Sequence, residues 1–166
     1  MTKGPNTPPA MFRASRATAG DKLECAELSN YGHLQDKEGK KYNRDHVPSY
    51  ASLLLAAKNL AKNQGKRLTK NRKKCIKKGA AAITIPIPWH RKISRTYGGR
   101  NKKAQIKKDA GNLSKAASND IDKITKGVTK KADQKCLAEY KKSAKKIKSK
   151  TNADYKKFLK SCLNCG

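Results

Sequence analysis

Asn43-Arg44-Asp45-His46-Val47-Pro48-Ser49 sets a carboxylate directly before an imidazole, and Ser49 behind them can cap a helix. A neutral imidazole can take a proton from water, while a neighbouring carboxylate can hold a divalent metal against a phosphate. Adjacent side chains on an extended backbone point to opposite faces, so both serve one phosphate only if the turn at Pro48 bends the chain. The plainer alternative has Asp45 capping a turn and His46 packing under the helix.

A second concentration of reactive groups runs from Ile87 to Asn101, just after the best strand of the chain. His90 could act as a metal ligand or acid, Ser94 and Thr96 bring hydroxyls, and Arg95 and Arg100 suit phosphate. Gly98-Gly99 permits close backbone approach, and Tyr97 could stack on a base. Trp89 is better suited to packing. The plainer alternative for this segment is a solvated loop. His33 lacks such company and reads as structural. Several other chemistries fail for want of residues: there is no glycine-rich nucleotide loop, no Gly-x-Ser-x-Gly and no His-x-Glu of the deaminase type.

The elements that must position these groups follow from periodicity. Ser49 opens a helix whose Leu53, Leu54, Ala57, Leu60 and Ala61 share a face, ended by Gly65. A very basic helix is expected over Thr69 to Lys78, stopped by Gly79. Ala80 to Ile87 is apolar and β-branched, hence a strand, with Pro86 and Pro88 confining it to an edge or to a strand end. Leu113, Ala117, Ile121, Ile124 and Val128 recur at helical spacing. Leu137, Tyr140, Ala144 and Ile147 repeat the pattern, and Tyr155, Phe158, Leu159 and Cys162 follow. The expected fold class is α+β, mostly helical with a small β-sheet. Residues 1–20 read as a flexible linker or fusion remnant. Residues 21–166 then form one domain, with a catalytic part about 23–101 and a basic helical part about 102–166.

The 166 residues carry 41 Lys+Arg against 12 Asp+Glu, a formal charge of +29. That balance selects for nucleic acid, an acidic protein or an anionic surface as partner. Its distribution is uneven: residues 46–108 contain 18 basic side chains and no carboxylate. No apolar run approaches the ~18 residues of a membrane span, and no leader pattern follows Met1. Of the cysteines, only Cys162 and Cys165 form a close pair, which is too few for a zinc site. They read as structural or incidental, with one disulfide from the tail to Cys136 as an option.

Arg44-Asp45-His46-Val47-Pro48-Ser49, then a helix, a strand and the His90 to Asn101 segment, resembles the C-terminal nuclease toxin domains of bacterial polymorphic and contact-dependent toxin systems. Asp-His-Val-Pro is also similar to the first strand of HNH (His-Me finger) nucleases. That resemblance implies His46 as general base, Asp45 as metal ligand and His90 as second ligand, with a divalent ion (Mg2+ or Zn2+) as cofactor. Asn101 is a further candidate. It also implies an acidic immunity protein as partner and delivery as a secreted effector into a target cell's cytoplasm.

The expected function is hydrolysis of phosphodiesters by a monomeric toxin, DNA preferred over RNA. Asp45, His46 and His90 form the catalytic group, and Arg44, Ser94, Arg95, Thr96, Tyr97, Arg100 and Asn101 contact nucleic acid. The two imidazoles are expected to open into one cleft. Two alternatives stand beside it: a metal-independent RNase using His46 and His90 as an acid–base pair, and a basic protein that binds nucleic acid without cutting it. The charge distribution generates a first prediction. Five or more phosphate contacts give a log Kd against log salt dependence of magnitude greater than about 4, measured by fluorescence anisotropy on a DNA duplex. A slope near zero would contradict it.

Overall fold

Ala81-Ala-Ile-Thr-Ile-Pro86 is buried at five of its six positions and forms the middle strand of a three-stranded antiparallel sheet. In the computed structural model, residues 7–12 and 22–166 are described. The elements run β1 (Leu28–Asn30), α1 (Tyr31–Gln35), β2 (Tyr42–His46), α2 (Tyr50–Asn63), α3 (Lys70–Gly79), β3 (Ala81–Pro86), α4 (Ile87–Lys92), α5 (Lys103–Ala110), α6 (Leu113–Gly127), α7 (Gln134–Lys148) and α8 (Asn152–Cys162). The class is α+β, mostly helical around a small sheet of order β1-β3-β2.

The prolines act at the end of β3 and leave it in the centre of the sheet. Pro86 is the last residue of the strand, and Pro88 lies in the first turn of α4, where a missing N–H costs no intrahelical bond. The segment after the strand therefore begins as a helix, not as the loop that its composition suggested. Ser49 and Thr69 accept from the backbone N–H of Ser52 and Arg72, capping α2 and α3 as their positions predict. Gly65, at φ +65°, takes the left-handed conformation just past α2.

Both faces of the sheet are covered. Ile83 and Ile85 pack against Trp89, against Ala117, Ile121 and Ile124 of α6, and against Leu137, Tyr140 and Ala144 of α7. On the opposite face Ala82 meets Leu23 and Leu34. A separate cluster joins Leu53 and Ala57 of α2, Ile76 of α3, and Tyr155, Phe158 and Leu159 of α8. Met11 is buried in that cluster and its N–H donates to the Gly79 carbonyl, so residues 7–12 pack on the domain and do not stand off it. The rest of the expected linker, residues 1–6 and 13–20, lies outside the described residues. No helix among the described residues is long and apolar enough to cross a membrane.

Two disulfides tie distant segments: Cys25 to Cys136 and Cys75 to Cys165. The C-terminal tail is thus bonded to α3, and Cys136 pairs with the N-terminal part of the chain, which corrects the expected tail-to-Cys136 bridge. Cys162 is unbonded and buried, and its thiol is pushed up to about 12 by that burial. The first bridge closes a separation of 111 residues. Replacing Cys25 and Cys136 together by serine should lower stability by about 2–5 kcal/mol in urea unfolding under oxidising conditions, the range for a bridge that closes a long loop. An unchanged midpoint would contradict that bridge.

Candidate active site

The pairing of β2 with β3 decides which reactive groups can meet. Asn43 lies opposite Ile85 and Asp45 opposite Ile83, whereas Arg44 and His46 lie opposite Thr84 and Ala82. Side chains alternate along a strand, so Asn43 and Asp45 share the face covered by α6 and α7, and Arg44 and His46 take the other. His90 reaches the first of these faces because α4 leaves β3 directly. Trp89 anchors α4 by its burial and its edge contact with Tyr140 at 6.2 Å between ring centres. One position on, about 100° round the helix, His90 turns back onto β2.

There the imidazole meets two side chains of β2. Its Nε2 stands 3.6 Å from Asp45 Oδ1, and its Nδ1 is 2.9 Å from the side-chain amide of Asn43. Asp45 is only 5% exposed. Burial holds its carboxyl well above the usual carboxylate range, and the charge of Asp120 pushes it the same way. Burial lowers His90, and the guanidinium groups of Arg100 and Arg91 lower it further. Tyr97 packs edge-on against His90 with ring centres 4.9 Å apart, and the Arg100 guanidinium lies over Tyr97 at 5.5 Å. Tyr97 is exposed.

His46 is elsewhere. Its ring is stacked between Tyr31 and Tyr50, at 4.3 and 5.6 Å between centres, and its Nε2 meets the Lys77 carbonyl at 2.9 Å. Burial lowers it to about 4, with the Lys77 ammonium adding to the effect against the bond to the Lys77 carbonyl. The expected single cleft holding both imidazoles is therefore not built: the pleat of β2 sends Asp45 to one face and His46 to the other. His46 instead joins β2 to the C-terminal end of α3.

Over 126 residues, 73% of this chain, the sequence is 30% identical to Deoxyribonuclease CdiA of Dickeya dadantii (strain 3937). The resemblance to contact-dependent toxin domains holds. The chain spans about 4% of that relative's length. No family model matches the chain, and no solved structure matches it.

Within this toxin-type domain the expected phosphate contacts divide into two groups. Arg44 donates to the carbonyls of Leu34, Gln35 and Lys37, closing the end of α1 on the face away from His90, so its guanidinium is not presented to a substrate there. Arg95 is bound into the interior, at 2.8 Å from Asp109 and 2.7 Å from Asp120, which corrects its expected role as a surface grip on phosphate. Ser94 is buried and pairs with Thr96. Asn101 holds Ser49 and accepts from Gln105, some way from a ligand role. Arg100 donates to the carbonyls of His90, Arg91 and Ser94, capping α4 while remaining at the surface. Only Tyr97 and Arg100 of that group adjoin His90.

Asn43, Asp120 and Tyr140 carry no motif, yet they surround the Asp45–His90 pair. Strand parity was the available signal for Asn43, two residues before Asp45. Asp120 betrays itself as an acid in the apolar stripe of α6, between Ala117 and Ile124. It is raised to about 7 by burial, against the attraction of Arg95. Tyr140 has a buried hydroxyl without a hydrogen-bond partner, and burial beside Asp45 and Asp120 keeps it protonated.

Among the described residues no three His, Cys, Asp or Glu side chains cluster around a point. Asp45 and His90 nevertheless face one another at a separation that suits two ligands of one small divalent ion, whose bonds run about 2.0–2.2 Å.

The pH dependence of His46 follows from its position. A folded value near 4 against 6.5 in an unfolded chain means the unfolded state binds the extra proton, so this contribution to stability is complete above about 6.5 and lost as the pH falls toward 4. His46→Phe, which keeps a ring in the stack, should remove that loss. The stability difference between wild type and variant, from urea unfolding, should shift in the variant's favour between pH 6.5 and 4. A pH-independent difference would contradict the assignment.

Proposed function

We propose that this chain is the nuclease domain of a contact-dependent toxin and cleaves DNA phosphodiesters at the Asp45–His90 pair. The observation that carries this reading is the meeting of a carboxylate and an imidazole, drawn from β2 and α4, beside the exposed Tyr97–Arg100 pair. The similarity to a protein named a deoxyribonuclease supports the choice of DNA. The acid-free stretch from residue 46 to 108 supplies positive surface for the phosphate backbone.

Asp45 and His90 Nε2 would hold a divalent ion (Mg2+ or Zn2+), which supplies charge stabilisation at the scissile phosphate when bound. His90 cannot use the same lone pair both to bind an ion and to take a proton, and its facing of a carboxylate favours binding. Arg100 has guanidinium hydrogens beyond those it gives to carbonyls and is placed to meet a phosphate. Tyr97 offers a ring to a base or sugar. His46, Arg44 and Arg95 serve the fold. A metal-free RNase built on His46 and His90 has no geometric support, because the sheet stands between the two rings. The domain acts as a monomer delivered into a target cell's cytoplasm, and its +29 charge suits an acidic immunity protein.

The test is plasmid cleavage by the purified chain. His90→Ala and Asp45→Asn should each lower turnover by about 10²–10⁴, the span for loss of a central catalytic group, while His46→Phe should stay within tenfold of wild type. EDTA should stop cleavage and added Mg2+ or Zn2+ restore it. Cleavage that survives His90→Ala in folded protein would overturn the site, and cleavage indifferent to EDTA would overturn the ion.

A further inference from the structure

His90 touches β2 at two distances that carry different meanings. The 2.9 Å between Nδ1 and the Asn43 amide is a hydrogen bond, whereas the 3.6 Å between Nε2 and Asp45 Oδ1 is too long for one. Only one ring nitrogen is therefore fixed by a partner. A primary amide can serve either way, its nitrogen donating to a bare Nδ1 or its oxygen accepting from a protonated one. The two cases send His90 to opposite chemistries. With Nδ1 bare, the proton sits on Nε2 and points at Asp45, and such an N–H beside a buried carboxyl group would close to hydrogen-bond distance. With Nδ1 protonated, Nε2 presents a lone pair toward Asp45, and the two groups stand apart as ligands do.

We propose that Asn43 is a positioning residue: its amide oxygen accepts Nδ1–H of His90, fixing the tautomer whose Nε2 lone pair faces Asp45. The inference rests on the reading of His90 as a ligand given above. Local structure supports it. Asn43 is two residues before Asp45 on a strand held in register by β3, so the amide and the carboxylate are set at a fixed spacing on one face. Arg100 donates to the backbone carbonyl of His90, and Tyr97 lies edge-on to its ring, which limits rotation of the imidazole about the Asn43 contact. A second-sphere acceptor of this kind orients the ring and makes the free nitrogen a better donor to a metal.

The experiment is ¹⁵N NMR of the full chain with labelled histidine, the His90 signals being assigned by their loss in His90→Gln. In the metal-free wild type, Nδ1 should show the shift of a protonated ring nitrogen and Nε2 that of a bare one. Asn43→Asp, whose side chain can still accept, should keep this pattern. Asn43→Leu should lose it. The Mg2+ concentration for half-maximal DNA cleavage should then rise about 10–100-fold in Asn43→Leu and stay near wild type in Asn43→Asp. A wild type with the proton on Nε2 would overturn the proposal directly, whatever the variants do. The expected tautomer in a chain that cuts no DNA would leave Asn43 as positioned here and remove the function instead.

Discussion

Neighbouring residues of a β-strand cannot share a face, and in β2 that constraint separates Asp45 from His46 by the thickness of a sheet. The register with β3 leaves no freedom: a slip of one residue would put Asn43 and Asp45 where Arg44 and His46 now lie, exchanging buried for half-exposed positions along the strand. Ile83 and Ile85 hold that register because their side chains fill the core under α6 and α7. The apolar interior thus chooses which polar groups can cooperate. Asp45 receives His90 from α4, and His46 receives Tyr31, Tyr50 and the end of α3.

The charged groups follow a related division. The few carboxylates that the chain buries, Asp45, Asp109 and Asp120, lie toward α6 and its neighbours, and Arg95 bridges the last two. A buried ion pair of this kind recovers its desolvation cost only with close geometry and further bonds. Arg95 has both, donating also to the Ala116 carbonyl. Removing that arginine would strand two buried acids, one of which already sits near 7. The abundant lysines of α3, α7 and α8 stay at the surface. The interior of this basic protein is consequently acidic in its ionisable groups, and Asp45 feels that as a pressure toward the protonated form, which a bound cation would relieve.

Helices with clear periodicity and caps were legible in the sequence: Ser49 and Thr69 cap where expected, and the apolar stripes of α6, α7 and α8 face the core. The central strand was legible too, from its β-branched run. Its place in the middle of the sheet was not, since Pro86 and Pro88 read equally as edge signals until α4 is seen to absorb the second. The site was half legible. Asp45 and His90 stand out by residue type and do meet. His46 stands out by the same criterion and does not, because its dipeptide carries no information about which face the core will claim. The arginines misled for a further reason: residue type cannot tell a guanidinium bound to phosphate from one bound to backbone carbonyls or buried acids, and the fold supplies those partners to Arg44 and Arg95.

The central claim is that substrate chemistry belongs to the Asp45–His90 face and not to the His46 face. Paramagnetic broadening by substoichiometric Mn2+ reads this most directly, followed on the imidazole ring protons of the three histidines. The account predicts that the His90 signals disappear first, while those of His46 and His33 persist. Broadening of His46 ahead of His90, in a protein whose fold is intact, would contradict it.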